Sequence, residues 1–202
     1  MPKTICLALT GASGMPYGLR LLECLLAAGC RVCLLYSRAA QVVARQEMDF
    51  TLPSSPGEAR AALLARLRPA DPALLTVHGR EEWFAPVASG SSAPEAMVVC
   101  PCSMGTLAAI AQGLAANLIG RAADVALKEG RKLILVPRET PLSAIHLENA
   151  LRLARAGAVI LPPSPGFYHR PQSVGELVDF IVARILDQLA VPHQLTARWG
   201  AQ

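Results

Sequence analysis

The feature that most constrains the fold is the alternation of short apolar runs with amphipathic stretches along the whole chain. Runs of strand length occur at residues 4–9, 31–36, 74–77, 96–100, 132–136 and 157–161. Helical patterns occur at residues 16–28, 38–47, 58–68, 103–113, 118–129, 143–156 and 173–189. This alternation predicts an α/β fold, a doubly wound and mainly parallel sheet with helices on both faces. The 202 residues contain no long linker, so we expect a single domain over 1–202 with a C-terminal tail over 190–202.

The first predicted strand leads into "TGASGMPYG", a turn of small residues before a helix. In Rossmann-like and flavodoxin-like sheets, ligands bind outside the carboxyl ends of the strands. The glycines of this turn fit neither G-x-G-x-x-G nor the short-chain dehydrogenase pattern. The second strand ends at Tyr36-Ser37-Arg38, without the acidic residue that holds an adenosine ribose. Arg38 leaves a dinucleotide with a 2′-phosphate as one alternative.

A single nucleotide phosphate suits the opening turn better, because backbone N–H groups at a helix N-terminus bind one phosphate well. The residues predicted to take part are Gly11, Ala12, Ser13 and Gly14. The alternative is a plain strand–helix turn in which Ser13 acts as a cap.

Two more loops with small or hydroxyl residues flank predicted strands. Residues 86–92 read "PVASGSS", and "CPCSMGT" over residues 100–106 leads into a helix. Ser103 and Thr106 are suited either to contact a ligand ring or to cap that helix.

Basic residues occur where the chain is expected to change direction, and together they could form a clamp for a phosphate. The members are Arg121, Lys128, Arg138 and Arg184, with the hydroxyl of Tyr168. Glu139 is the acid best placed for proton transfer beside the clamp, or else it forms a loop ion pair with Arg138.

Three stretches together resemble one family. They are "LTGASGMPYGLRLL", "SGSSAPEAM" and "CPCSMGTLAAIAQGLAANLIGRAADVALKEGRKLILVPRETPLS". They are similar to the UbiX-type flavin prenyltransferases, formerly described as 3-polyprenyl-4-hydroxybenzoate decarboxylases, within the superfamily of homo-oligomeric flavin-containing proteins. The likeness continues through "ENALRLARAGAVILPPSPGFYHRPQSV".

This resemblance implies transfer of a dimethylallyl group from dimethylallyl monophosphate to N5 and C6 of reduced FMN. The product, prenylated FMN, would serve a UbiD-type decarboxylase, for example in ubiquinone biosynthesis. The resemblance also implies a homo-oligomer, dodecamer-like, with flavin bound between subunits. The aliphatic composition, 52% hydrophobic with only 4% aromatic residues, agrees with an oligomer.

Carried over position by position, the resemblance divides the site into three sets. FMN is expected to contact Gly11, Ala12, Ser13, Gly14, Ser37, Ser103, Thr106 and Arg121. The phosphate of the prenyl donor is expected to contact Ser89, Gly90, Arg121, Lys128, Arg138, Tyr168 and Arg184. The catalytic set is Glu139, Lys128, Tyr168, Arg184 and Glu47, the last lining the site.

Some positions near the expected prenyl pocket are assigned less directly. Trp83 and Trp199 are candidate aromatic walls, since an aromatic face stabilises an allylic cation. Met104 is bulky beside the expected ring and could shape the pocket.

Composition argues against several other functions. The net charge of +4 is spread along the chain, which gives no indication of nucleic-acid binding. We expect no membrane span, because the least polar stretch, residues 104–120, carries Gln112, Asn117 and several glycines. We expect no metal site, because no Asp-rich motif or His cluster occurs. Six cysteines fit ordinary core thiols in the cytoplasm, and Cys30-Arg-Val-Cys33 is interpreted in the same way.

Two functional alternatives stay open. One is an FMN-dependent cysteine decarboxylase of the same fold, but the Asn of its characteristic loop is missing after Pro86-Val87-Ala88-Ser89. The other is a non-catalytic protein that binds or stores FMN. The retained Lys128 and Glu139 argue against the second.

Overall fold

The computed structural model describes residues 2–196, and six parallel strands form one sheet in the order β3-β2-β1-β4-β5-β6. The strands are β1 (Thr4–Leu9), β2 (Arg31–Tyr36), β3 (Leu75–Val77), β4 (Ala96–Cys102), β5 (Lys132–Pro137) and β6 (Val159–Ile160). The helices are α1 (Met15–Ala27), α2 (Arg38–Met48), α3 (Pro56–Leu67), α4 (Met104–Ala111), α5 (Leu118–Lys128), α6 (Ala144–Arg155) and α7 (Val174–Leu189). The predicted α/β fold is confirmed.

The strand order reverses between β1 and β4. From β1 the chain moves outward to β2 and β3, and it then returns to place β4 on the other side of β1. Ile5 of β1 is in register with Val32 of β2 and with Ala96 of β4. A ligand crevice in such a sheet is expected at this reversal, outside the carboxyl ends of β1 and β4.

Alternate residues of each central strand enter separate cores on the two faces of the sheet. In β1, Ile5 and Leu7 pack with the buried sides of α1, α2, α3 and α7, whereas Cys6 and Ala8 pack with α4, α5 and α6. All six residues of β1 are buried or half-buried, as expected for a parallel strand covered on both faces.

Two strands differ in length from the sequence-based expectation by more than one residue. β6 spans only Val159–Ile160, because the preceding residues complete the end of α6. The N–H of Gly157, at a φ of 96°, donates to Ala154, and the N–H of Ala158 donates to Leu153. This is the hydrogen-bond pattern of a glycine-terminated helix. β4 extends through Cys102 and so carries the chain directly to the loop before α4.

All six cysteines are free thiols, as expected for core residues. Cys6, Cys100 and Cys102 are fully buried, and burial raises the pKa of Cys102 to about 12. Within residues 2–196, no helix is both long and apolar enough to cross a membrane.

Candidate functional site

Thr10 joins the two loops at the reversal of strand order. Its hydroxyl donates to the carbonyl of Pro101 at 2.8 Å and accepts the N–H of Ser103, also at 2.8 Å. The side chain is fully buried, so these bonds are shielded from water. Sequence reasoning did not single out Thr10. A hydroxyl residue directly after an apolar strand is the signal that could have found it.

Ser103 and Thr106 lie together at the start of α4, as predicted. The Ser103 Oγ accepts the N–H of Thr106 at 3.2 Å and lies 2.9 Å from the Thr106 hydroxyl. Both side chains are half-buried. Ser103 therefore caps the helix, and the two hydroxyls present a paired polar surface beside the opening turn. Met104 is 8% exposed within the core on that face.

The opening turn passes very close to α2. A Cβ added to Gly11 would overlap the Cβ of Ala39, and Gly14 has a φ of 120° that disfavours other residues. Ala12 is buried, whereas Ser13 is exposed and points its carbonyl to Arg138. A Cβ added to Gly18 would overlap the backbone carbonyl of Cys100, so all three glycines are required by close approach or by backbone angle.

Glu47 of α2 occupies the N-terminus of α1. Its carboxylate accepts the N–H of Gly14 at 2.9 Å and the N–H of Met15 at 2.8 Å. A negative charge at this position is favoured by the helix dipole. One of the four amides expected to face a phosphate, that of Gly14, is therefore already bound to a carboxylate of the same chain.

Arg138 and Glu139 follow β5 and lie at the same edge as the opening turn. The Arg138 Nε donates to the carbonyl of Ser13 at 3.3 Å. Glu139 is exposed, and its carboxylate accepts the N–H of Thr140 at 3.3 Å. Among residues 2–196, no ion pair joins Glu139 to Arg138, and the one hydrogen bond of the Glu139 carboxylate is that from Thr140.

Ser37 follows β2 and caps α2, since its Oγ accepts the N–H of Ala40 at 3.1 Å. It lines a cavity of about 410 Å³ that extends toward β3 and the start of α5. Arg38, His78 and Arg80 line the same cavity. Sequence reasoning singled out neither His78 nor Arg80.

Arg121, Ser89, Gly90 and Lys128 form a second group along α5. The Arg121 Nε donates to the carbonyl of Ala88 at 3.0 Å, which holds the segment before β4 against the helix. A Cβ on Gly90 would lie 3.0 Å from the Lys128 Nζ. The exposed Ser89 hydroxyl lies 3.1 Å from that of Ser91.

Lys128 itself forms an ion pair with Glu129, a residue that sequence reasoning missed. Its hydrogen bond and charge hold the pKa of Glu129 below the ordinary range.

This second group extends to the opposite end of the sheet, where the strands begin. Gly90 precedes β4 and Lys128 precedes β5, so both lie toward the amino ends of the strands. Glu139 follows β5, and a strand of six residues spans about 20 Å. Within one protomer, Lys128 and Glu139 are therefore at opposite ends of the same strand.

Tyr168 and Arg184 belong to a third region, formed by α7 and the segment that precedes it. The ring of His169 stacks on that of Phe180 with centroids 5.5 Å apart, and Arg184 lies one turn after Phe180. Arg184 pairs with Asp187 at 2.9 Å. Helix α7 covers the face opposite α5, so one protomer does not bring the predicted phosphate clamp together.

The aromatic residues predicted near the prenyl pocket are only partly described. Trp83 is 46% exposed on the segment between β3 and β4. Trp199 lies outside the described residues.

Known protein families and structures are similar to this chain over nearly its whole length. The flavoprotein family model matches residues 1–186. A flavin prenyltransferase UbiX from Pseudomonas aeruginosa is 58% identical over 201 residues, covering 100% of this chain and 96% of that protein. The chain belongs to the flavoprotein family, among the UbiX-type flavin prenyltransferases.

Two solved structures of this group are similar over nearly the whole chain. AnUbiX (PadA1), crystallised with FMN and dimethylallyl pyrophosphate, has a TM-score of 0.88 and 41% identity, covering 100% of both chains. A dodecameric FMN-dependent UbiX-like decarboxylase from Escherichia coli O157:H7 has a TM-score of 0.85 and 39% identity, covering 98% of this chain and 100% of that chain.

Proposed function

We propose that this protein is a flavin prenyltransferase that transfers a dimethylallyl group from dimethylallyl monophosphate to N5 and C6 of reduced FMN. The observation that carries the proposal is the 58% identity to a flavin prenyltransferase over the full chain. The groups at the reversal of strand order support it, because the Ser103 and Thr106 hydroxyls, the Ser13 carbonyl bound by Arg138 and the exposed Glu139 carboxylate all lie at the carboxyl ends of the strands.

The flavin is proposed to bind at the carboxyl ends of the strands. The close approach of Gly11 to α2 leaves no side chain over the turn, and Ser103 and Thr106 offer hydroxyls beside it. Reduced FMN supplies the electron-rich N5 and C6 that accept the prenyl group. The protein holds those atoms against the donor and excludes water from the site.

The donor's allylic C–O bond breaks, and the phosphate leaves with the bonding electron pair. Arg138, Lys128 and Arg184 are suited to stabilise the charge that develops on that phosphate, together with the Tyr168 hydroxyl. Glu139 is suited to give a proton to the departing phosphate. After the first prenyl carbon bonds to N5, which loses its proton, ring closure adds a proton to the remaining prenyl double bond and removes the proton from C6, and the same carboxyl group is suited to transfer both. Each role requires the group to lie within hydrogen-bond reach of the donor.

A complete site is proposed to form between copies of the chain, in a dodecamer-like homo-oligomer. Lys128, Glu139 and Arg184 lie in three separate regions of one protomer, so a shared site needs neighbours to supply two of them. The dodecameric relative with a TM-score of 0.85 supports such an assembly. Exposed apolar side chains on α6, among them Ile145 and Leu151, are suited to an interface.

The product, prenylated FMN, is proposed to pass to a UbiD-type decarboxylase, with a place in ubiquinone biosynthesis. We place the protein in the cytoplasm, where its six free thiols would stay reduced.

The direct test is anaerobic incubation of the full chain with reduced FMN and dimethylallyl monophosphate, followed by mass analysis of the flavin. The expected result is a mass gain of one C5 unit. Dimethylallyl pyrophosphate serves as the second donor, since the AnUbiX complex contains it. No gain with either donor would contradict the proposed function, and gain only with the pyrophosphate would correct the donor.

Glu139→Gln tests the proton-transfer role within the same assay. We expect FMN binding to be retained and the transfer rate to fall about 100-fold or more. Glu58→Gln, an exposed change on α3, is the matched control and should leave the rate unchanged. An unchanged rate in Glu139→Gln would remove that residue from the mechanism.

A further inference from the structure

Thr10 places a completely buried hydroxyl directly after the apolar strand β1. Among residues 2–196, the other buried polar side chains are those of His78 and Asn149, which keep 7% and 8% of their surface exposed. Threonine and valine have almost the same shape, so what a threonine adds at a buried position is the hydrogen bonding of its hydroxyl. The function of this residue is therefore to be found in its hydrogen bonds.

These bonds connect β1 to β4 beyond the point where the regular pairing of the two strands ends. The paired residues end with Ala8 opposite Val99. The N–H and the hydroxyl of Thr10 then both donate to the carbonyl of Pro101, at 3.1 and 2.8 Å. The same hydroxyl accepts the N–H of Ser103 at 2.8 Å. Thr10 thereby fixes the backbone of residues 101–103.

Ser103, held in this way, begins α4 and carries one of the two hydroxyls expected to contact the flavin. Its carbonyl accepts the N–H of Leu107 at 2.9 Å, and its Oγ lies 2.9 Å from the hydroxyl of Thr106. When two hydroxyls bond to each other, one proton is used between them and the other stays free for a ligand. The direction of that free donor follows the backbone of Ser103, and hence Thr10.

Further bonds connect the same loop to β5 and back to the opening turn. The N–H of Arg138 donates to the carbonyl of Cys102 at 3.3 Å, and its Nε donates to the carbonyl of Ser13, also at 3.3 Å. Ser13 follows Thr10 by three residues, so these bonds form a closed circuit through the ends of β1, β4 and β5. The bond to Ser13 is exposed, whereas those of Thr10 are buried and shielded from competition with water.

We propose that Thr10 is a positioning residue for the flavin, which holds the hydroxyl pair of Ser103 and Thr106 in the orientation that binds the ring. This inference rests on the proposed function, since it deepens the flavin site at the carboxyl ends of β1 and β4. Thr10 is completely buried and therefore acts through residues 101–103. A ring held at another angle would present N5 and C6 less well to the donor, so binding and transfer both depend on Thr10.

The test compares a variant that loses the hydroxyl with one that keeps it. Full-length protein freed of flavin is titrated with FMN by flavin fluorescence, and the visible absorption spectrum of bound FMN is recorded. We expect Thr10→Val to weaken FMN binding about 5- to 10-fold and to shift the spectrum, and Thr10→Ser to stay within about twofold of the wild type. Thr76→Val, the same change at an exposed position of β3, is the matched control and should alter neither quantity.

A second background distinguishes positioning from a general effect on stability. In Ser103→Ala/Thr106→Ala the hydroxyl pair is absent, while the bonds of Thr10 to the backbone of residues 101 and 103 can still form. If Thr10 acts through the pair, adding Thr10→Val to this background should change FMN affinity less than about twofold and leave the spectrum unchanged. Equal weakening in both backgrounds would show a merely structural role and overturn the proposal.

Two other results would also overturn it. One is an unchanged affinity and spectrum in Thr10→Val, and the other is a Thr10→Ser protein that behaves like Thr10→Val. If Thr10→Val does not fold, Thr10→Cys carries the same comparison, because a thiol forms only weak hydrogen bonds.

FMN binding and prenyl transfer are measured separately, so the two proposals can fail independently. A protein that shows this dependence on Thr10 but transfers no prenyl group would retain the inference and lose the proposed function. Normal transfer with FMN binding that does not depend on Thr10 would retain the proposed function and overturn the inference.

Discussion

The carboxylate of Glu47 accepts the backbone N–H of Gly14 at 2.9 Å, which joins the last turn of α2 to the start of α1. The adjacent N–H of Met15 donates to the same oxygen. A helix N-terminus that opens a ligand-binding edge therefore carries its own counter-charge. This arrangement leaves the phosphate of any ligand to be met elsewhere along the edge.

Removing that charge should destabilise the fold modestly. In Glu47→Gln, we expect the free energy of unfolding to fall by about 1–2 kcal/mol, because the side chain is exposed and the helix-terminus interaction is screened. Urea denaturation followed by circular dichroism measures it. Glu148→Gln should be neutral, and equal stability of the two variants would show that the Glu47 contact contributes nothing.

Close packing between the opening turn and α2 gives a second prediction. Gly11→Ala places a Cβ against that of Ala39, and we expect a loss of about 1–3 kcal/mol. The double variant Gly11→Ala with Ala39→Gly should recover much of that loss, apart from the helix cost of the new glycine. Gly105→Ala is the control, since nothing lies near its added Cβ.

Unfolding free energies of these variants decide the matter. If Gly11→Ala were as stable as Gly105→Ala, the turn would have room for a Cβ at residue 11, and the predicted clash with Ala39 would be wrong.

The Glu82 carboxylate lies 2.8 Å from the Nδ1 of His78, and this pair predicts a dependence of stability on pH. The folded-state pKa of Glu82 lies below the ordinary value of 4.5, so its contribution is complete above that pH. The contribution is lost as pH falls through the folded-state value, because the unfolded chain then binds the proton more readily. Glu82 is exposed, so the effect should stay below about 1 kcal/mol.

Thermal unfolding of the wild type and Glu82→Gln measures this difference. The difference in stability between the two proteins should be present at pH 6 to 7, about two units above the ordinary pKa of a Glu side chain. It should narrow as the pH falls below that pKa. A gap that is constant across this range would show that the carboxylate charge is not responsible.

The positions of strands and helices were predictable because apolar runs and helical periodicity are local properties of the sequence. The contact of Glu47 with Gly14 was not, since it depends on how α2 packs over a turn far away in the sequence. The separation of Lys128 from Glu139 did have a sequence signal. One precedes and the other follows the apolar run of β5, and a strand places such residues at opposite edges.

The pairing of His78 with Arg80 around a cavity lay beyond sequence reasoning. His78 follows a strand of only three residues, so the pattern gave little weight to its carboxyl end. That the His78 Nε2 and the Arg80 Nη1 are buried without a hydrogen-bond partner within residues 2–196 becomes visible only when every neighbouring donor and acceptor has been placed.

A site shared between copies can be tested by mixing two inactive variants. Lys128→Gln and Glu139→Gln each remove one group, and we expect each homogeneous oligomer to lose most transfer activity. If one site takes Lys128 from one copy and Glu139 from another, co-expressed variants restore intact sites. Random assembly of equal amounts should restore about a quarter of the wild-type activity.

The measurement is prenylated FMN formed per flavin site, by mass analysis, in the mixed oligomer purified through two different affinity tags. A mixture of separately purified oligomers that do not exchange subunits is the control and should stay inactive. If a single copy supplies both residues to a site, every site in the mixed oligomer lacks one of them. An inactive mixed oligomer would therefore place Lys128 and Glu139 in one protomer's site and contradict the shared arrangement.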